Sequence, residues 1–206
     1  MGATASGVVW SQLQNPDFLP SPYANTSLNT TGNAADNFAF GDVTVITGIR
    51  WWGVWCNADS ADDVFRVRFY NDNGGLPDTT EGSTFVERFV TPTQVFARDL
   101  PVDICTTDPE EELEFAADLA TSFTAAADTT YWIEIVSKDT GNNQIFSWSN
   151  ASSDESRAKP DGDGAGAQRN DPISDPGTWV TQPDRAFELI GEVDTTELRA
   201  SGVNPG

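Results

Sequence analysis

Val43-Thr44-Val45-Ile46-Thr47-Gly48-Ile49-Arg50-Trp51-Trp52-Gly53-Val54-Trp55-Cys56 is the stretch that decides the fold class. It is dense in β-branched and aromatic residues, the types that fit a pleated, half-buried surface. Three of the chain's seven tryptophans fall within five positions of it. In an extended strand, Ile49, Trp51 and Trp55 share one face, and Arg50, Trp52 and Val54 share the other. A simple two-layer sandwich buries only one of those faces. Either a loop covers the outer face, or a tryptophan stands exposed there.

Working outward, Val64-Phe65-Arg66-Val67-Arg68-Phe69-Tyr70 alternates strictly, with Phe65, Val67 and Phe69 opposite Arg66 and Arg68. That is the period-2 pattern of a strand with one wet face. Asn71-Asp72-Asn73-Gly74-Gly75 then reads as a turn. Further strands are expected near 8–13, 36–40, 84–89, 94–99, 113–116, 131–137, 144–148 and 186–193. Asp108-Pro109-Glu110-Glu111-Glu112-Leu113 has the acids that open a helix, but a loop leading into a strand is preferred. The Ala- and Thr-rich segment 118–127 reads equally as strand or irregular chain. Short strands separated by frequent turns predict an all-β, two-layer antiparallel β-sandwich, with a jelly roll favoured over a Greek key. Residues 1–193 are expected to form one domain. Residues 194–206 are poor in apolar side chains and read as a tail or linker.

The chain has 206 residues, enough for a full core. It carries 32 acidic residues against 11 basic ones, a formal charge of −21. Such a chain repels phosphate backbones and anionic lipid, which argues against nucleic acid and membrane partners. No apolar run approaches the length of a membrane span. The surplus of Asp suits turns and a salty or extracellular medium.

Histidine is absent, which excludes Ser-His-Asp and Cys-His nucleophile systems. No phosphate-cradling glycine loop is present. The remaining enzymatic option is a carboxylate pair of the glycosidase type, with Glu87, Glu114, Glu134 and Glu188 as strand-borne acids. Glu134 shares a strand face with Trp132 and Val136. Its simpler reading is an exposed polar residue of a one-sided strand. Trp52, Trp148 and Trp179 are candidate platforms for sugar rings, if they are exposed. Asp161-Gly162-Asp163-Gly164-Ala165-Gly166, with Asp171 close behind, offers alternating carboxylates that suit calcium; Asp161, Asp163 and Asp171 are the expected ligands. Asp59, Asp62, Asp63 and Asp72 are alternative positions.

The resemblance of three motifs narrows the picture. Ala35-Asp36-Asn37-Phe38, then Ile46-Thr47-Gly48-Ile49-Arg50-Trp51-Trp52-Gly53, then Phe65 through the turn Asn71-Asp72-Asn73-Gly74-Gly75-Leu76-Pro77 resemble a module of secreted bacterial proteins. Tyr131-Trp132-Ile133-Glu134-Ile135 and Phe146-Ser147-Trp148-Ser149 look like its closing strands. The resemblance spans about residues 8 to 193. It implies a β-sandwich of extracellular or cell-surface proteins, often placed ahead of sorting or anchoring tails, and it implies no activity. Asn37 stands where that module often has a second Asp, which removes a carboxylate from any metal role there.

These features together give the expectation of a non-catalytic extracellular or surface module, structural or adhesive, that self-assembles through edge strands or termini. Its expected partners are copies of itself, in a homo-oligomer or filament. The second reading is a carbohydrate-binding module with polysaccharide as partner, and the third is a glycosidase-like enzyme. Calcium is the only cofactor expected.

Cys56 and Cys105 are the only cysteines, and they lack the close spacing of a redox or zinc pair. In an oxidising compartment they are expected to form one disulfide. Closing a loop of roughly 50 residues, it should contribute about 4 kcal/mol on the chain-entropy model. Thiol titration of the denatured, unreduced protein should therefore find no reactive thiol, and reduction should lower the denaturation midpoint. Two titratable thiols would refute the pairing.

Overall fold

A computed structural model of the chain describes residues 6–14, 24–25, 32–56, 64–80, 85–100, 111–138, 145–151, 166–170, 179–182 and 184–193. Their regular structure is all strand: β1 (Gly7–Gln12), β2 (Ala24–Asn25), β3 (Gly32–Phe40), β4 (Thr44–Cys56), β5 (Phe65–Asn71), β6 (Phe85–Val90), β7 (Thr93–Asp99), β8 (Glu111–Ala125), β9 (Thr129–Ser137), β10 (Ile145–Trp148), β11 (Gly166–Asn170), β12 (Trp179–Gln182) and β13 (Phe187–Val193). Every pairing is antiparallel.

The aromatic run becomes β4, the centre of the first sheet. One edge of β4 pairs with β8 from Thr44 to Gly53, and β7 pairs with β8 beyond it. The other edge is divided. β13 takes Thr44 to Trp51, with β1 outside it, and β10 takes Gly53 to Cys56, with β2 outside it. The second sheet runs β12-β11-β3-β9-β5-β6.

The two sheets pack face to face through aromatic rings, as the two-layer expectation requires. Phe65 of β5 lies 5.1 Å from Trp51, 5.4 Å from Phe115 and 4.9 Å from Phe146, measured between ring centroids, all three on the opposite sheet. Phe69 stacks on Phe123 of β8 at 4.3 Å. Val67 completes the buried face of β5, so its alternation is realised as read. Trp51 and Trp55 face this core with Ile49.

The segment 118–127 resolves as strand: β8 continues through Ala125, placing Leu119 and Phe123 in the core. The short β2 and the pair β11–β12 were not expected. Gly166-Ala167-Gln168-Arg169-Asn170 has neither alternation nor β-branched residues, so its strand state comes from pairing with β3.

The turn after β5 explains its sequence. Gly74 and Gly75 adopt φ of 68° and 86°, where a side chain is strained. Asp72 accepts the Gly75 amide at 3.1 Å and the Trp132 indole N–H at 2.8 Å, tying the turn to β9. Both of its carboxylate oxygens thus accept hydrogen bonds that shape the turn.

Gly53 is required by close approach. A Cβ there would lie 2.4 Å from Phe146 Cζ and 2.5 Å from the Ser147 carbonyl oxygen. Gly53→Ala must displace β10 or its aromatic anchor, and should destabilise the fold by about 1–3 kcal/mol. Denaturant unfolding checks this, and an unchanged midpoint would contradict the packing described.

Candidate functional site

The outer face of the second sheet carries a buried charge cluster. On β5 the residues that alternate with the core face are Arg66, Arg68 and Tyr70, and their neighbours on β9 are Val136, Glu134 and Trp132. Glu134 is fully buried. Its Oε2 accepts the Tyr70 hydroxyl at 2.8 Å and lies 3.5 Å from Arg66 Nη2 and 3.9 Å from Arg68 Nη1. Arg68 Nε also donates to Glu87 of β6 at 2.6 Å. Arg68 therefore bridges three strands, held between a carboxylate on either side. The reading of Glu134 as an exposed polar residue is corrected: the arginines and tyrosine of the neighbouring strand cover it.

The first sheet repeats the device. Arg50 of β4 lies 3.2 Å from Glu114 of β8 and 2.7 Å from Glu188 of β13. The four strand-borne acids thus fall into two pairs, Glu87 with Glu134 and Glu114 with Glu188, each clamped on an arginine. Each of these carboxylates is oriented toward its cation. Such an arrangement cross-links neighbouring strands.

A second polar cluster lies where β1, β3 and the lead-in to β13 meet. Asp36 Oδ2 accepts Gln12 Nε2 at 2.7 Å and the Arg185 amide at 2.5 Å, and Oδ1 accepts the Asn37 amide at 2.8 Å. Arg185 is fully buried and donates to Asn150 Oδ1. Burial pulls its guanidinium below the ordinary arginine range, while Asp36 and Asp184 hold it up. Beside it Glu112, also buried, accepts Arg98 Nε and the Ser149 hydroxyl, both at 2.5 Å. Asp36 of the Ala-Asp-Asn-Phe motif thus does structural work, accepting donors inside the sandwich, the Asn37 amide among them.

The expected aromatic platforms fare differently. Trp148 is fully buried, its indole N–H donating to the Ala186 carbonyl at 2.9 Å. Trp52 is only 5% exposed, although it lies on the outward face of β4 with the buried Val54. The outer face of that strand is covered, so neither ring is offered to a sugar. For Trp179 only the strand position is described. Asp161, Asp163 and Asp171 lie outside the described residues, as do Cys105 and the side chain of Cys56. No group of three potential ligands capable of holding a metal occurs among the described residues.

The exposed large apolar residues form a pattern that strand-by-strand reading did not find. Phe85 and Phe89 on β6 are 45% and 52% exposed; Val95 and Phe96 on β7 are 54% and 55% exposed. The other two among the described residues, Val8 and Val193, lie on β1 and β13. β6 is the last strand of the second sheet and β7 the last of the first, joined by Thr91-Pro92. Among the described residues, one flank of the sandwich therefore presents the margins of both sheets and four apolar side chains. Cations lie over both phenylalanines of β6: Arg68 is 4.7 Å from the Phe85 centroid, and Lys138 Nζ is 4.9 Å from that of Phe89.

From Val8 to Ile190 the chain matches the model of a domain family of unknown function, DUF7901, and it belongs to that family. The match runs from β1 into β13 and so takes in both sheets. No curated protein matches the chain.

Burial, and then the Glu134 charge, push the Tyr70 hydroxyl far above the ordinary tyrosine value; Arg68 opposes them. The folded protein holds this proton while the unfolded chain releases it near pH 10. Stability should therefore be fully present below about pH 10 and fall as pH rises above it. Denaturation midpoints across the alkaline range, with tyrosinate absorbance, test this. Tyr70→Phe should remove that part of the decline, at a cost of about 1 kcal/mol near neutrality for the lost hydrogen bond.

Proposed function

We propose that the domain is a non-catalytic binding module of an extracellular or cell-surface protein, which takes extended polypeptide along the flank formed by β6 and β7. The observation that carries this reading is the coincidence of two sheet margins with four of the six exposed large apolar residues among those described. Monomeric proteins guard open edges with charge or cover, and an unguarded apolar edge is a place where another strand adds. An added strand pairs with backbone groups along the margin and buries the apolar side chains together.

Charge supports the same flank. Within β6 and β7, Glu87 and Asp99 are matched by Arg88 and Arg98, while the whole chain stands at −21. The flank is thus electrically balanced in a strongly acidic molecule. The extracellular setting is supported by the acidic surface, the isolated cysteine pair and the motif resemblance described above. The non-catalytic reading draws on the absence of histidine and on the arginine clamps that hold the strand-borne acids.

Polysaccharide is the competing ligand, since exposed rings stack on sugars. The cations seated over Phe85 and Phe89 weigh against it, because a sugar ring must displace them to stack there. Selection of displayed peptides on the immobilised protein, with affinity electrophoresis in soluble polysaccharides alongside, separates the two. Peptides rich in β-branched and aromatic residues should be selected. The Phe85→Ser, Phe89→Ser variant should lose at least about tenfold in affinity for them, on the order of 1.4 kcal/mol. Retardation by a polysaccharide that the same variant abolishes would replace the proposal with the carbohydrate reading.

A further inference from the structure

We infer that the partner of β7 is β7 of a second copy of this chain, paired antiparallel across a two-fold axis at the Val95–Phe96 segment, so that the first sheets of the two copies join edge to edge. The inference rests on the flank being a binding surface and goes further by naming the occupant.

The structure supplies three arguments. The first is the exposure of β7 on both faces. Val95 pairs in register with Glu114, on the outer face, and Phe96 with Leu113, which packs against the core. These two side chains project to opposite sides of the strand, and both are more than half exposed. A strand laid alongside would bury both side chains.

The second argument is charge. Copies at −21 repel each other over most of their surface. Residues 93–97 of β7, Thr-Gln-Val-Phe-Ala, carry no charge, and Arg98 beyond them is ion-paired with Glu112 of β8. This edge brings two copies together without setting acid against acid along the line of contact.

The third is symmetry. A two-fold axis sets the same patch against itself, so one surface suffices, and two-fold dimers are by far the commonest oligomers. It also makes the new pairing antiparallel, like every other pairing in the molecule. The opposite edge of the first sheet, β1, also bears an exposed valine, Val8. Pairing β7 with β1 of the next copy would not close, and would give a filament rather than a dimer.

The seven residues of β7 make a short contact compared with stable interfaces of about 1,200–2,000 Å². The expected behaviour is therefore a monomer–dimer equilibrium in the micromolar range. It should tighten as salt rises, because salt screens the repulsion between the two acidic bodies.

Sedimentation of the full chain over a range of concentration and salt tests the inference. Wild type should pass from monomer to dimer and no further. Val95→Lys and Phe96→Lys should each weaken dimerisation by at least about tenfold. Both side chains are exposed in the single copy, so both variants should keep the wild-type melting temperature. Val8→Lys should dimerise like wild type. A monomer at every concentration and salt, species larger than a dimer, or loss of association on Val8→Lys would each overturn the β7 pairing. If wild type stays monomeric while selected peptides still bind through Phe85 and Phe89, the pairing alone falls. If those peptides also fail to bind, the reading of the flank as a binding surface falls with it.

Discussion

The structure depends on the meeting of rings at Phe65. This one side chain of the second sheet reaches Trp51 on β4, Phe115 on β8 and Phe146 on β10, so it touches three strands of the first sheet at once. Trp51 and Phe115 are themselves stacked at 5.5 Å. Rings of this size bury large areas, and their offset and edge-on contacts add modest directional energy. The constraint is geometric as much as energetic. The Phe146 ring fits only because position 53 has no side chain. The aromatic density of the 43–56 run thus serves packing, and Trp148, one of the tryptophans that look like ligand platforms, lies in the same core.

Around this apolar centre the polar groups act as ties between strands. Arg50 and Arg68 each join three strands of their own sheet through two carboxylates. Asp36 joins β1, β3 and the lead-in to β13 from within. Pairs at partly exposed sites such as Arg50–Glu114 contribute little net stability, whereas removing the cations around fully buried Glu134 leaves a charge stranded, at a cost of about 3–5 kcal/mol. The ties act on register. A strand that slipped by one residue would turn Arg68 into the core and Phe69 out to solvent.

The legible part of this architecture was the part written in periodicity. The alternation of 64–70 placed its phenylalanines and arginines on the right faces, and the facing of Trp51 and Trp55 against Trp52 followed from the pleat. What the pattern could not carry was anything set by a neighbouring strand. Glu134 is polar in a row that looks wet, and only the side chains of β5 bury it. Trp52 and Trp148 look like platforms until the covering of their faces is known. β11 carries no strand signal of its own and takes its state from β3. The flank was legible least of all, because Phe85, Phe89, Val95 and Phe96 read as ordinary strand interiors. Only the sheet order, which sets β6 and β7 at the margins, turns them outward.

The divided edge of β4 bears on how the chain acquires its structure. β13, the last strand, inserts between β4 and β1, and the hydrogen bond from Ser11 to Glu188 spans 177 positions. Among the described strands β1 has no other neighbour. As the polypeptide emerges from synthesis, its first strand must wait for the last, and one edge of the central strand stays vacant meanwhile. Closing so long a loop is entropically slow, so the fold belongs with the high-contact-order sandwiches that form in milliseconds to seconds rather than microseconds. During that interval the stretch of the β4 edge from Thr44 to Trp51, which β13 later takes, is open to other nascent chains.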